Sequence, residues 1–187
     1  LMTVKWNGEI VSQIPSECLV LGGGAPVYHR ETKRPGYMDE IVKLNPDDYT
    51  TDRDWNETLL TMLASPNICR KDWVFDQYDS MVRTNTSVGP GSDAAILRLR
   101  KTNKALAMTT DCNARYCYVN PRLGGQSAVA EAARNIVCSG AKPLAITNCL
   151  NFGNPYKPEI YYGFKEAVGG MGDACKVFET PVTGGNV

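Results

Sequence analysis

The sequence is poor in the residues that build metal sites and covalent sites. It has one histidine, His29, and none of its seven cysteines is spaced as C-x-x-C, which argues against a zinc site. Because the cysteines are scattered, they fit a reducing cytosol better than a disulfide framework. The Walker signature of P-loop proteins is also absent. Any phosphate site must therefore use other residues.

Blocks of like charge and long apolar runs are missing as well. The 20 basic and 20 acidic residues cancel without clustering, which argues against nucleic acid or an anionic membrane as the main partner. No uninterrupted apolar run approaches the roughly 20 residues that cross a bilayer. With 43% hydrophobic residues, the chain can still build a core. We expect a soluble, cytoplasmic protein without a membrane segment.

What is present begins with a hairpin. The opening LMTVKWNGEIVSQIP places Asn7-Gly8, a type I′ turn pair, between two strand-like stretches. LGGGAPVYHRETKRPGY follows as a linker, and residues 52–78 have helical spacing interrupted at Ser65-Pro66. Since the chain starts inside a hairpin and stops just after Gly184-Gly185, we expect an internal fragment of a longer protein.

A second hairpin is predicted in the middle of the chain. DAAILRLR and ALAMTTD alternate in polarity around KTNK, which predicts a hairpin closed at Thr102-Asn103. That register brings Asp93 and Asp111 to the same open end. Two carboxylates there could hold Mg²⁺ together with phosphate oxygens, because hard cations prefer oxygen ligands. The alternative is that both aspartates are turn and cap residues, and spacing alone favours this alternative.

Two helices alternate with two strands in the C-terminal part. Apolar spacing predicts a helix over Gly125–Ser139, stopped by Gly140, and a second helix over residues 160–174. KPLAITNCLNF and KVFETPVT are predicted strands. This order predicts a mixed α/β sheet with helices on one face, in which ligands collect at the strand ends. The first helix carries a polar stripe of residues four apart: Glu131, Asn135 and Ser139.

Short motifs carry weaker signals. TNCLNFGNP is either an Asx turn or a loop that holds a nucleotide, and TGGNV is either a tight turn or a phosphate cradle of backbone N–H groups. GMGDAC begins like a dinucleotide fingerprint but follows helical residues and ends on Cys175, which argues against that function. His29 lies in a charged loop without a nucleophile, so we expect a surface residue rather than a catalytic base.

Three stretches together resemble a known family: VRTNTSVGPGSDAAILRLRKTNKALAMTTDCNARY, GGQSAVAEAARNIVCSGAKPLAITNCLNFGNPYKPEI and TPVTGGNV. They are similar to phosphoribosylformylglycinamidine synthase, in the synthetase subunit of the multi-subunit bacterial type, within the aminoimidazole ribonucleotide synthetase-like superfamily. The resemblance runs from about Gly23 to Val187, and EAARNIVCSGAKPLA is a highly specific run. It implies three parts: a preceding C-terminal domain's tail with a linker at 1–45, a helical connector at 46–80, and a second, truncated nucleotide-binding domain at 81–187.

The family's reaction, as the resemblance implies it, is an ATP-dependent carbon–nitrogen ligation in purine biosynthesis. Formylglycinamide ribonucleotide is phosphorylated on its amide oxygen and then aminated by ammonia, which a glutaminase subunit supplies from glutamine. A small accessory subunit completes the complex. ATP and Mg²⁺ are the implied cofactors, because an in-line phosphoryl transfer requires a cation that spreads the phosphate charge.

The resemblance assigns site residues one by one. The nucleotide contact after the PLAIT strand falls on Asn148, where the family usually has aspartate, and a second nucleotide contact falls on Gly185. The magnesium contact falls on Asn186. Asp93 and Asp111 match the superfamily's magnesium and ATP aspartates, a site that would be auxiliary in a second copy. The family's catalytic histidine has no counterpart, so no catalytic residue is assigned and the fragment alone is expected to be inactive.

Two other functions stay open at this stage. In this superfamily two nucleotide-binding halves pair through their strands into a shared barrel. The chain could therefore be a non-catalytic assembly half that completes an active site by domain pairing. A relative such as a selenophosphate synthetase or a thiamine-monophosphate kinase is disfavoured by the run AARNIVCSGAKPLA and by the preceding linker.

Overall fold

The computed structural model describes residues 1–20, 23–49, 52 and 54–187, and these form two compact units. Unit 1 spans Leu1–Thr32 and unit 2 spans Lys33–Val187. The domain boundaries expected near residues 45 and 80 stay predictions. Parts of the predicted linker and helical connector lie outside the described residues, namely Leu21, Gly22, Thr50, Thr51 and Arg53.

Unit 1 is built on the first predicted hairpin. Strands β1 (Met2–Trp6) and β2 (Glu9–Ile14) pair antiparallel, and the turn between them uses Asn7 and Gly8 at positive φ. Positive φ at both central residues is the type I′ geometry, which matches the twist of the flanking strands. The hairpin prediction is confirmed.

The described residues in the first part of unit 2 include the short α-helices α1 (Tyr37–Ile41), α2 (Trp55–Ala64) and α3 (Asp72–Phe75). Asp54 caps α2, because its side chain accepts a hydrogen bond from the backbone N–H of Asn56 at 2.7 Å. The helix ends at Ala64, and its C-cap Ser65 is extended before Pro66, which confirms the break predicted at Ser65-Pro66.

A three-stranded antiparallel sheet follows, in the order β3 (Thr86–Val88), β4 (Ala95–Leu99), β5 (Lys104–Met108). Ala95 pairs with Met108, so the β4–β5 register differs by two residues from the one predicted. A shift of two leaves every side chain on its predicted face, because side chains alternate along a strand with a period of two.

In the C-terminal part, two long helices pack against each other and a parallel strand pair contributes Ile146 to their core. Strands β6 and β7 run parallel, and helix α6 connects them. A small core forms around Val129, Ala174 and Cys175, with Ile146 and Met171 packed against it. The elements are α4 (Ala114–Val119), α5 (Pro121–Cys138), β6 (Ile146–Cys149), α6 (Pro158–Phe178) and β7 (Val182–Asn186).

The two long helices differ from the predicted ones at their ends. Helix α5 starts at Pro121, four residues early, because the side chain of Asn120 caps it by accepting from the N–H of Leu123. The predicted stop at Gly140 is confirmed by its φ of +82°. The strand predicted over residues 176–183 is wrong in its first half, since α6 continues to Phe178. Extending an existing helix by one hydrogen bond per residue outweighs the strand preference of Val177 and Phe178.

The mixed α/β fold class is confirmed. Among the described residues, the antiparallel strands β3 to β5 and the parallel pair β6–β7 form separate sheets. The formation of a barrel by pairing stays a prediction. None of the helices in the described ranges has the length and apolarity that crossing a membrane requires.

Candidate functional site

The carboxyl ends of β6 and β7 bring the three predicted site residues together. In the parallel pair, Asn148 lies opposite Gly185 and Cys149 lies opposite Asn186. Beyond these pairs, the backbone N–H of Leu150 donates to the carbonyl oxygen of Asn186 at 2.8 Å. The strands therefore stay paired to the last residue of β7, which fixes the positions of both asparagines. We call the residues Asn148, Gly185 and Asn186 the strand edge.

At Gly185 the two strands approach each other closely. A Cβ at this position would lie 2.0 Å from Oδ1 of Asn148 and 2.3 Å from its carbonyl oxygen. Gly184 faces open space, and neither glycine has a positive φ. Glycine at 185 is thus explained by the contact with Asn148.

The tight turn predicted at TGGNV is wrong, because Gly184, Gly185 and Asn186 are extended residues of β7. A phosphate cradle needs consecutive N–H groups that converge on one anion. In an extended strand, successive N–H groups point to opposite sides. A ligand at the strand edge would therefore contact side-chain amides and single backbone groups rather than a nest.

The amide side chains of Asn148 and Asn186 differ in their surroundings, because Oδ1 of Asn148 lies against Gly185. Asn148 is half-buried and Asn186 is exposed. Within the part of the chain that the structure describes, neither side chain has a hydrogen-bond partner. Each amide offers two N–H donors and an oxygen acceptor, which suits ribose hydroxyls and base edges.

The asparagine-rich loop after β6 uses its own amides locally. Nδ2 of Asn151 donates to the carbonyl oxygen of Cys149 at 3.3 Å. Oδ1 of Asn154 accepts from the N–H of Tyr156 at 2.9 Å, which is an Asx turn. Of the two alternatives for TNCLNFGNP, the structure supports the turn at Asn154 and leaves Asn148 as the unpaired amide.

Asp111 lies three residues after the end of β5, and its carboxylate is hydrogen-bonded by a side chain of helix α5. Its Oδ2 accepts from Oγ1 of Thr109 at 2.7 Å, and its Oδ1 accepts from Nδ2 of Asn135 at 2.8 Å. One turn further along α5, Oγ of Ser139 donates to the carbonyl oxygen of Asn135 at 2.9 Å. Of the three residues in the predicted polar stripe, Asn135 is the one whose hydrogen bond to Asp111 the structure describes.

Asp93 lies in a different environment from Asp111. It is exposed and lines a cavity of about 500 Å³, together with Thr109 and Thr110. Asp111 is not among the residues that line this cavity, and its carboxylate is hydrogen-bonded to Asn135 of α5 instead. The hairpin thus brings Asp93 beside the threonines that precede Asp111.

The residues of the strand edge fit Mg²⁺ only when phosphate oxygens accompany it. Across the described ranges, no group of three His, Cys, Asp or Glu side chains could hold a metal ion. The amide oxygen of Asn186 is a neutral donor of the kind that hard cations accept, and Mg²⁺ usually keeps several waters and bridges to substrate phosphates. This donor set fits a cation that arrives with a nucleotide.

Two cysteines lie beside Asp111, and the sequence interpretation missed their contact. Sγ of Cys112 and Sγ of Cys117 are 4.0 Å apart. Burial raises the pKa of the Cys117 thiol to about 11, and the neighbouring Cys112 adds to this shift. A spacing of five residues carries no known signature, and the two sulfurs meet because Asn113 begins α4 between them.

His29, in unit 1, is exposed, as the sequence predicts for a surface residue.

Known sequences match the chain along its whole length. Residues 91–187 match the family described as AIR synthase related protein, N-terminal domain. The chain is 56% identical over 188 residues to the phosphoribosylformylglycinamidine synthase subunit PurL of Chlorobaculum tepidum, which covers 100% of this chain and 24% of that protein. It is 60% identical over 187 residues to the subunit of the same name from Chlorobium luteolum, and this match covers 98% of this chain and 24% of that protein. The chain thus spans about a quarter of these relatives.

Solved structures of Thermotoga maritima PurL match the chain as well. The structure of PurL complexed with ADP has a TM-score of 0.59 at 27% identity, and that of PurLQS has a TM-score of 0.61 at 28% identity. Each match covers 98% of this chain and 27% of the other. PurL complexed with FGAR matches with a TM-score of 0.55 at 27% identity, covering 98% of this chain and 26% of the other.

Proposed function

Because the chain belongs to the AIR synthase related family, and its whole length is similar to PurL subunits, we propose that it is a nucleotide-binding part of a phosphoribosylformylglycinamidine synthase. The parent reaction is an ATP-dependent ligation of purine biosynthesis. It converts formylglycinamide ribonucleotide and ammonia from glutamine to formylglycinamidine ribonucleotide. The observation that carries the proposal is the pairing of Asn148 with Gly185, which places Asn186 beside them.

Each residue of the strand edge has a proposed contact with Mg-ATP. The amide of Asn148 bonds the ribose or the base, and the backbone of Gly185 lies against the nucleotide. The amide oxygen of Asn186 contacts Mg²⁺, which would spread the negative charge of the phosphates. The chain supplies binding and orientation but no catalytic base, so we expect no turnover from it alone.

The partners of the parent protein are proposed on the same grounds. The T. maritima relatives are described as complexed with ADP, complexed with FGAR, and assembled as PurLQS. We extend these properties to this chain's parent, with a glutaminase subunit and a small accessory subunit as partners. All seven cysteines are free, which supports a cytoplasmic location.

The exposed face of the β4–β5 hairpin favours a second candidate function, assembly by pairing. Leu106 and Met108 are each 48% exposed, and Leu99 is 38% exposed. The register Leu97↔Leu106 and Ala95↔Met108 places these side chains on one face of the sheet. An exposed apolar sheet face is typical of an interaction surface.

Calorimetric titration with Mg-ATP tests the nucleotide site. We expect saturable heat that requires Mg²⁺, at least tenfold weaker affinity in Asn186→Ala, and unchanged affinity in Asn103→Ala. Asn103 is the control because it is an exposed asparagine in the β4–β5 turn. Absence of magnesium-dependent heat would overturn the nucleotide site, and self-association in sedimentation would then favour the assembly function.

A further inference from the structure

The contact between the Cys112 and Cys117 thiols involves none of the residues of the strand edge. Their Sγ atoms are 4.0 Å apart, whereas a disulfide bond measures about 2.05 Å. Closing the gap therefore requires a movement of about 2 Å, which a side-chain rotation and a small shift of an irregular segment can supply. All seven cysteines are free, so both thiols are available for this step.

The two thiols differ in their freedom to move. Cys117 lies in α4 and packs against Gly124 of α5, where an added Cβ would be 2.9 Å from its sulfur and 2.5 Å from its Cα. Cys112 is exposed and precedes Asn113, the N-cap residue of α4, in a stretch without regular structure. Cys112 can therefore approach Cys117 without breaking a helical hydrogen bond.

We propose that Cys112 and Cys117 are a redox-sensitive modification site that forms a reversible disulfide by exchange with a small-molecule disulfide such as glutathione disulfide. Cys112 reacts first because it is exposed. Its sulfur attacks the small disulfide, forms a mixed disulfide and releases one thiol. Cys117 then attacks the Cys112 sulfur and releases the second thiol. The protein loses two electrons and two protons, and the small disulfide gains both.

The disulfide would act on the position of Asp111. Cys112 follows Asp111 directly, and the Asp111 carboxylate is anchored to Asn135 at 2.8 Å and to Thr109 at 2.7 Å. Any backbone shift of Cys112 toward α4 would strain these two hydrogen bonds, because Cys117 is packed against Gly124 of α5 and has little room to move. Oxidation is therefore coupled to the carboxylate at the end of β5.

Peptide mapping after glutathione disulfide treatment tests the proposal on the unmodified chain. Trypsin cuts after Arg115, which lies between the two cysteines, so a disulfide would join peptide 105–115 to peptide 116–122. We expect this joined pair as the main cross-linked species, and its loss on reduction with dithiothreitol. Separate glutathione adducts on both cysteines, or cross-links dominated by other cysteines, would overturn the proposal.

Three serine variants test the order of the steps. Cys117→Ser should trap the mixed disulfide on Cys112 and abolish the joined peptides. Cys112→Ser should lower glutathione incorporation at Cys117 at least tenfold. Cys138→Ser is the matched control, since Cys138 is exposed, and it should leave the joined peptides unchanged. Equal incorporation at Cys117 in the presence and absence of Cys112 would contradict the proposed order.

Discussion

At the residue scale, the contact between Asn148 and Gly185 determines the shape of the strand edge. The missing Cβ of Gly185 allows the Asn148 amide to lie against the neighbouring strand. Gly184, one residue earlier, faces open space. The adjacent glycines therefore have different roles, and a pair of matched substitutions separates them.

Gly185→Ala should destabilise the protein. The new Cβ would overlap Oδ1 and the carbonyl oxygen of Asn148, and overpacking of this kind costs about 1–3 kcal/mol. Gly184→Ala, the control, should change the free energy of unfolding by no more than about 0.5 kcal/mol, or raise it slightly. Urea denaturation measures both variants. Equal stabilities would contradict the close approach of β6 and β7.

Asn135→Ala should destabilise the protein through Asp111. The substitution removes the donor to Oδ1 of a half-buried carboxylate, and hydrogen bonds to charged groups contribute about 1.5–3 kcal/mol. Ser127→Ala on the same helix is the control, because Ser127 is exposed. Thermal unfolding compares the two variants, and a similar transition temperature for both would show that Asn135 does not hold Asp111.

At the element scale, the packing of α5 on α6 holds the C-terminal part together. A Cβ on Gly170 of α6 would lie 1.9 Å from the carbonyl oxygen of Arg122, so the helices touch through their backbones there. Nη2 of Arg122 also donates a hydrogen bond to Oδ2 of Asp173 in α6, at 2.5 Å. Gly170, the first glycine of GMGDAC, therefore serves helix packing, and the location of this motif inside α6 agrees with the prediction that it is not a dinucleotide fingerprint.

Gly170→Ala and Gly172→Ala should have opposite effects on stability. Alanine at 170 meets a backbone carbonyl that cannot easily move, and we expect a loss of about 1–3 kcal/mol. Alanine at 172 meets no atom within 4 Å and should gain about 0.8–1 kcal/mol from its better helix propensity. Denaturant titration gives both values, and a stabilising Gly170→Ala would contradict the observed crossing.

The sequence predicts elements well where local chemistry decides them. The predictions at Asn7-Gly8, at Gly140 and at Ser65-Pro66 are confirmed, because turn and cap geometry depend on one or two residues. The start of β7 was misplaced because the helix end at Phe178 depends on helix continuation and not on local strand preference.

The site was predictable in its residues but not in its geometry. Asn148, Gly185 and Asn186 came from the family resemblance, and only the parallel register shows that they are neighbours. The Asp111–Asn135 bond could be anticipated from a stripe of residues four apart, but its partner lies 24 positions away. The Cys112–Cys117 contact depends on the start of α4, which no periodic pattern marks.

At the scale of the whole molecule, the chain spans about a quarter of the length of the PurL relatives it matches. The strand edge supplies two amides and a close backbone approach, while Asp93 and Asp111 lie at the end of a separate sheet. We propose that the strand edge positions the nucleotide. The exposed face of the β4–β5 hairpin is then a separate surface, through which the chain pairs with another domain.

The most direct test of the nucleotide site is an NMR titration of the ¹⁵N-labelled chain with Mg-ATP. We predict the largest, saturable shifts at the backbone amides of Asn148, Leu150, Gly185 and Asn186, and much smaller shifts without Mg²⁺. Shifts confined to the cavity around Thr109 and Thr110, or no shifts at saturating Mg-ATP, would contradict the assignment of the strand edge.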